Sequence, residues 1–279
     1  MAVARPLISF TSDFGLRDPY VGTVKGVMLG ICPECAIVDI THEVTPQSVA
    51  EAAFLTRQAW PFFRDGVVHL AVVDPGVGTE RAAVALRTPH GYAVGPDNGV
   101  LSAALDGTLR SRPSDDGATT LEPQLIGVPA GCEAREIRSE RVIRREPSAT
   151  FHGRDIFGPA AAALASGFAF SEIGPELERL WYLPVARAER TAAGLRGSIV
   201  HVDRFGNMIS SIRGADLEPG MDEIEALGRR LPLVRTYGEQ HELCCLVGSG
   251  GYVEIALPNG SAAAALGAAV GLEVSVPAR

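Results

Sequence analysis

Nine polar side chains stand where the apolar pattern of this sequence breaks: Asp13, Asp74, Arg81, Asp97, Asn98, His152, Arg154, Asp155 and Asp203. Acids at several strand ends together with a histidine are one donor set for a metal-dependent phosphohydrolase. Against that reading, only His152 and Asp155 form a tight pair, and no H-x-H or D-x-D spacing accompanies them. An Asp, an Arg and a His can instead hold and polarise one water, the Arg fixing the carboxylate and the acid or imidazole accepting the proton. The same residues also serve without chemistry, Asp74 and Arg81 as a turn salt bridge and His152 as a satisfied core histidine. Residue types alone leave all three readings open.

The elements that must position these groups follow from the hydrophobic pattern. Val67–Val73 is short, β-branched and interrupted only by His69, which predicts a central strand of an α/β sheet. Asp74 lies where that strand ends, and Gly76 and Gly78 allow a sharp turn before Arg81. Ligands of open α/β sheets collect beyond the carboxyl ends of strands, which makes Asp74 a site candidate. Arg81 stands where a G-x-G-x-x-G fingerprint needs its third glycine and a strand follows, so dinucleotide binding is rejected. Pro6–Thr11 predicts a first strand, with Asp13 just beyond it as either an Asx-turn residue or a ligand. Helices are expected over Tyr20–Ile31, Ser48–Trp60, Val100–Leu105 and Gly158–Ser166, the last with Pro159 in its first turn. Gly22, Gly26 and Gly30, four apart in the first helix, predict close packing of that helix on the sheet. Strands alternating with helices mean a parallel or mixed α/β sheet. Residues 106–123 carry no periodicity and predict a surface loop.

From Gly197 the pattern changes to short alternating strands, at Ser198–Val202, Met208–Ile212, Leu231–Tyr237, Glu242–Val247, Tyr252–Ala256 and Glu273–Val276. Short strands between glycine turns predict a small barrel or sandwich. The expected architecture is therefore an α/β domain over residues 1–174, a connector over 175–196 and a smaller all-β barrel-like domain over 197–279. A net charge of −8 argues against nucleic acid as the main partner, since phosphates need a basic face. Five cysteines without disulfide-like spacing favour a reducing compartment, and Cys32-Pro-Glu-Cys35 lacks the second pair that zinc would need. Strand-like sequence from Leu7 leaves no room for a signal segment, and no apolar run is long enough to span a bilayer, so a cytoplasmic location without membrane contact is expected.

Seven motifs occur in order: Thr11-Ser-Asp-Phe-Gly15 with Lys25-Gly26, Val38-Asp-Ile-Thr-His42, Val73-Asp-Pro-Gly-Val-Gly-Thr-Glu-Arg81, Gly95-Pro-Asp-Asn-Gly99, Phe151-His-Gly-Arg-Asp-Ile156, Asp203-Arg-Phe-Gly-Asn207 and Gly248-Ser-Gly-Gly-Tyr252. In this combination the chain resembles the S-adenosyl-L-methionine (SAM) hydrolases, also called SAM hydroxide adenosyltransferases, relatives of fluorinase and chlorinase. The resemblance spans nearly the whole chain apart from the loop at 106–123. It implies hydrolysis of SAM to adenosine and L-methionine, with water or hydroxide attacking ribose C5′ in line and neutral methionine leaving. It implies that Asp74, Arg81 and His152 surround the nucleophilic water. Asp13 is then expected at the ribose hydroxyls, Asp203 at the methionine ammonium, Asn207 and Asn259 near adenine, Ser249 at the methionine carboxylate, and Glu254 and Gly153 among the substrate contacts. No cofactor or metal is implied, because the sulfonium is already an excellent leaving group. A homotrimer is implied as well, with active sites between subunits, Asp13 and Asp74 from one and Asp203 and Asn207 from the next.

Within that superfamily the residues favour water over halide. The halogenases resembled here carry a halide-binding serine where this chain has Gly153, and a tyrosine where it has Asp74. Their insertion after the Arg81 region is also missing, since Leu86 reaches Tyr92 through a short turn. Ser48 replaces the acid of the family's Pro-Gln-Asp-Val pattern, which bears only on the cap of a helix. The rival from another class is a noncatalytic SAM- or adenosine-binding protein.

Overall fold

The computed structural model describes residues 5–109 and 121–278, so the expected loop at 106–123 lies largely outside the described residues. The chain forms two compact units, one built mainly from residues up to Pro184 and the other from Val185 onward. In the first, β1 (Leu7–Ser12), α1 (Tyr20–Ile31), β2 (Ala36–Thr41), α2 (Val49–Ala59), β3 (Val67–Val72), β4 (Ala83–Thr88) and β5 (Gly91–Pro96) follow in order. Next come β6 (Gln124–Gly127), β7 (Glu133–Glu136), α3 (Gly158–Ala165), β8 (Glu176–Leu177) and β9 (Arg179–Tyr182). The main sheet has the order β2-β1-β3-β5-β4-β7-β8, parallel from β2 to β5 and antiparallel beyond.

The chain leaves β1 on one side to reach β2 and returns on the other side to reach β3. The carboxyl ends of β1 and β3 therefore form a topological switch point, the crevice where such sheets bind ligands. Alternation along the strands assigns the two faces. Ile8, Phe10, Val68, Leu70 and Val72 pack under α1 and α3, while Ala71, Val73, Val84 and Leu86 pack toward α2 and Trp60. Each fully buried Leu, Ile, Val or Phe contributes about 1.5–3 kcal/mol, so this double-sided core holds the strand ends firmly.

Several sequence expectations are corrected. Val21, Val24 and Met28 form the buried stripe of α1, which turns Gly22, Gly26 and Gly30 to the outer side, where a Cβ added at any of the three would meet nothing within 4 Å. The glycine row thus makes no contact with the sheet. Val100–Leu105 forms only a single 3-10 turn at Ser102–Ala104, because the Ser102 hydroxyl bonds the Gly99 carbonyl (2.6 Å) and receives the Leu183 N–H (2.7 Å). Within residues 175–196, β8 pairs with β7 and β9 pairs with β6 in the first unit, and β10 (Glu189–Thr191) pairs in the second. Ser48 caps α2, its hydroxyl accepting from the Glu51 N–H (3.4 Å).

The second unit adds β11 (Gly194–Val202), β12 (Met208–Arg213), β13 (Glu223–Ala226), β14 (Arg229–Pro232), β15 (Cys244–Val247), β16 (Tyr252–Ala256), α4 (Ala262–Leu266) and β17 (Glu273–Pro277). Its antiparallel sheet runs β14-β13-β17-β11-β12-β16-β15. A bridge from Leu233 to Cys245 brings the two ends together, giving a nearly closed barrel. The strand at Glu223–Ala226 is not foreseen in the sequence, and it displaces the expected strand at Leu231–Tyr237 to Arg229–Pro232. Ile224 and Ala226 are its inward pair, and Leu227-Gly228, with φ of 51° and 70°, makes the tight hairpin turn. Among the described residues no helix is long and apolar enough to cross a membrane.

Candidate active site

The register of β1 against β3 pairs Ser12 with Val72, so Asp13 and Asp74 both leave the sheet at the switch point. Asp74 opens a tight turn in which the Val77 N–H reaches the Asp74 carbonyl (3.2 Å) and the Thr79 hydroxyl reaches the Gly76 carbonyl (2.7 Å). Gly78 has a φ of 78°, and a Cβ there would lie 2.6 Å from the Ala149 carbonyl oxygen, so only glycine fits. The turn delivers Arg81 back onto Asp74. Arg81 Nε donates to Asp74 Oδ1 (2.8 Å) and Nη2 donates to Oδ2, a bidentate pair with side chains only 12% and 7% exposed. The guanidinium also stands 5.0 Å from the Phe157 ring centroid.

His152 comes from far along the chain, at the start of a π-helical turn, Gly153–Phe157, that runs into α3. Wide turns of this kind are frequent at functional sites. Arg81 Nη2 lies 2.8 Å from His152 Nδ1. A guanidinium cannot accept a hydrogen bond, so Nδ1 is the acceptor and the neutral imidazole carries its proton on Nε2. Burial and then the Arg81 charge hold His152 below the usual histidine value, against the pull of Asp74 and Asp155. Gly153 sits among aromatic rings: a Cβ there would be 3.0 Å from Phe14 Cζ and 3.5 Å from Phe151 Cε2.

Two groups to which the sequence assigns no role support this corner. Asn98 donates from Nδ2 to the Val73 carbonyl (2.9 Å), pinning the residue before Asp74. Asp97 accepts the Trp181 N–H (2.8 Å), and burial raises its pKa. Asp13 accepts the Gln47 N–H on Oδ2 (2.8 Å). Among the described residues no three His, Cys, Asp or Glu side chains converge as metal ligands, and the buried thiols of Cys32 and Cys35 are pushed to high pKa.

The remaining expected residues belong to the barrel unit. Asp203 folds its own turn, Oδ1 accepting from the Phe205 (2.9 Å) and Asn207 (2.8 Å) N–H groups and Oδ2 from Asn207 Nδ2 (3.0 Å). Glu254 on β16 is buried, and its Oε1 accepts the Tyr237 hydroxyl. Burial raises the Glu254 pKa, and the Asp203 charge adds to the rise while the Tyr237 bond opposes it. A Cβ on Gly248 would stand 2.3 Å from Glu254 Oε2, so the Gly248–Gly251 turn packs its backbone against that carboxyl. Ser249 is exposed on this turn, and Asn259, with a φ of 59°, is exposed in the turn after β16. Asp203 joins Asn207 and Glu254 joins Tyr237, whereas Ser249 and Asn259 make no side-chain bond to them among the described residues. Tyr237 escapes sequence reading, since nothing in its local pattern marks a carboxyl partner 17 positions on.

Comparison with known proteins identifies the family. The family model of the SAM hydroxide adenosyltransferase N-terminal domain matches residues 8–174, and that of the C-terminal domain matches 197–275. A relative from Thermus thermophilus named (R)-S-adenosyl-L-methionine hydrolase is 41% identical over 273 residues, covering 96% of this chain and 98% of its own. A fluorinase from Actinoplanes is 32% identical, covering 91% and 92%. The crystal structure of an uncharacterized conserved protein from Thermotoga maritima matches with a TM-score of 0.82 at 31% identity, over 97% of this chain and all of that one. The chain belongs to the SAM hydroxide adenosyltransferase family.

Proposed function

We propose that the protein is a SAM hydrolase that forms adenosine and L-methionine, with Asp74, Arg81 and His152 holding the attacking water. The observation that carries this reading is one guanidinium gripping both oxygens of Asp74 and the Nδ1 of His152. That grip fixes both neighbours in one orientation and one tautomer. It leaves lone pairs on Asp74 to accept from a water and the Nε2–H of His152 to donate to it. In the reaction a C5′–O bond forms while the C5′–S bond breaks, and its electron pair neutralises the sulfonium. The attacking oxygen then carries the positive charge and sheds its proton to Asp74 and on to solvent, one proton per turnover. A neutral His152 cannot take that proton on Nε2, which already carries one.

Holding water and C5′ in line contributes several kcal/mol of the barrier reduction. Asp13 is assigned to the ribose hydroxyls, Asp203 and Glu254 to the methionine ammonium, Ser249 to its carboxylate and Asn207 and Asn259 to adenine. Two acids suit the ammonium of that terminus. Gly153 supports water as the nucleophile, because a serine there meets Phe14.

The proposal extends to a cytoplasmic homotrimer whose sites take residues from two subunits, a reading supported by the family resemblance and by the apolar side chains left uncovered around α1, Leu16, Tyr20, Leu29 and Ile31. Sedimentation velocity tests it, and a monomer at working concentration refutes it. The test of the activity is incubation of purified protein with SAM, with adenosine and methionine followed by chromatography and proton release by an indicator dye. Equimolar products are expected, unaffected by chelator, and D74A abolishes them while adenosine still binds. Binding of SAM without turnover marks a noncatalytic binder and overturns the proposal.

A further inference from the structure

Beside the water-holding set lies a second chain of polar contacts, Lys25, Asp39, His42 and Ser12, to which the hydrolysis assigns nothing. Lys25 Nζ on α1 pairs with Asp39 Oδ2 on β2. Asp39 Oδ1 lies 3.1 Å from His42 Nε2, off the ideal hydrogen-bond axis, and His42 Nδ1 lies 2.7 Å from Ser12 Oγ. Ser12 Oγ in turn receives the Phe14 N–H (3.4 Å), and the His42 carbonyl receives the Gly15 N–H (2.7 Å).

Ser, His and Asp in this order have the residue types of a hydrolytic triad, but Ser12 is fully buried and no substrate reaches it. The directions of the bonds assign another task. The Asp39 charge 3.1 Å from Nε2 favours the imidazole proton on that nitrogen, which leaves Nδ1 to accept from the Ser12 hydroxyl. Burial holds His42 below the usual histidine value despite Asp39, so the ring is neutral at pH 7 and the chain keeps this polarity. Phe10 packs edge-on against the ring, with centroids 4.6 Å apart. One residue therefore clamps both ends of the Ser12–Gly15 turn, the side chain at Ser12 and the carbonyl at Gly15. Between the clamps stands Asp13, whose Oδ2 accepts from Gln47 and whose Oδ1 accepts nothing among the described residues.

We propose that His42, oriented by Asp39 and Lys25, is a positioning residue that fixes the Ser12–Gly15 turn so that Asp13 can accept hydrogen bonds from a vicinal diol. The inference rests on the reading of Asp13 as the acceptor for ribose hydroxyls. It is tested by calorimetric binding of adenosine and of 2′,3′-dideoxyadenosine to wild type, D13A, H42A, S12A and the S12A/D13A double variant. S12A removes one oxygen and is included because loss of the buried imidazole can impair folding. Wild type is expected to prefer adenosine by about 10–100-fold, the range of a hydrogen bond to a charged group. D13A abolishes the preference, H42A and S12A reduce it to within about threefold, and S12A/D13A behaves as D13A. Retention of the full preference in S12A and in folded H42A makes the chain mere packing and overturns the proposal, leaving Asp13's role intact. Equal binding of both nucleosides by wild type removes Asp13 from the diol and takes the proposal with it.

Discussion

Replacing Arg81 by lysine keeps the charge and removes the fork, which separates electrostatics from geometry. The guanidinium makes two charge-assisted bonds to Asp74 and one to His152 Nδ1, and packs on Phe157. A lysine ammonium on its flexible stem can keep an ion pair with Asp74 but cannot reach all three acceptors in one plane. At about 1.5–3 kcal/mol for a hydrogen bond involving a charged group, two lost bonds remove on the order of 3–6 kcal/mol gross. Ion pairing by the ammonium and water entering the corner recover part, leaving about 1–2 kcal/mol of lost stability. The rate responds more strongly. Freed from Arg81, His152 can adopt either tautomer, and about 2.7 kcal/mol of lost transition-state positioning is 100-fold in kcat. R81M sharpens the contrast, since it leaves Asp74 buried without a partner and costs about 3–5 kcal/mol in stability. Adenosine release under saturating SAM gives kcat, and urea melts give stability. R81K with kcat within threefold of wild type would show that the fork plays no part in catalysis.

G153S is expected to lower hydrolysis at least tenfold, because the new Cβ presses on Phe14, and to produce no halogenated nucleoside when chloride is supplied. The rate should be flat above neutral pH and fall as pH drops below the usual histidine value of 6.5. Protonated His152 loses its bond from Arg81 and is repelled by it, so an acid limb absent from the kcat profile would contradict this. His69, stacked on Trp60 at 4.5 Å and bonded to Ser9, is pushed by burial down to about 4 from 6.5. Because the unfolded chain then binds the extra proton, stability is complete above pH 6.5 and declines by about 3 kcal/mol on descent to pH 4. In urea melts H69L should flatten that decline.

The Asp74–Arg81 pairing is more legible in the sequence than the contacts that support it. Asp74 and Arg81 are seven residues apart around glycines, and a strand-end acid followed by a turn and an arginine has few geometries. His152 was reachable only through motif order, since no local pattern says that a residue 71 positions beyond Arg81 will meet it. Long strands announce themselves by alternation, but β8 and β9 span two and four residues, too few for alternation to mark them in the sequence. The spacing of the α1 glycines is equally compatible with either face of the helix. The choice fell to Val21, Val24 and Met28, whose bulk had to go inside. Asn98 and Tyr237 act on groups 25 and 17 residues away, contacts that folding creates and sequence periodicity does not encode.

Gly153 ties two properties together that a sequence comparison treats as separate. Its missing side chain leaves room for Phe14, and Phe14 is the residue after Asp13 in the turn assigned to the ribose. A β-carbon at 153 therefore displaces a ring that is also packed edge-on against Phe10, Tyr20 and Phe151. Interiors packed to crystal density do not absorb such a shift locally. The tip of the Phe14 ring must give by a few tenths of an ångström, and the three rings around it resist that. Position 153 and the Ser12–Gly15 turn thus share one aromatic neighbour, so a serine at 153 is expected to fit better when Phe14 is made smaller with it. G153S is therefore expected to weaken adenosine binding in calorimetry and F14L introduced with it to restore the binding, whereas unchanged affinity in G153S would show that the contact is absorbed locally.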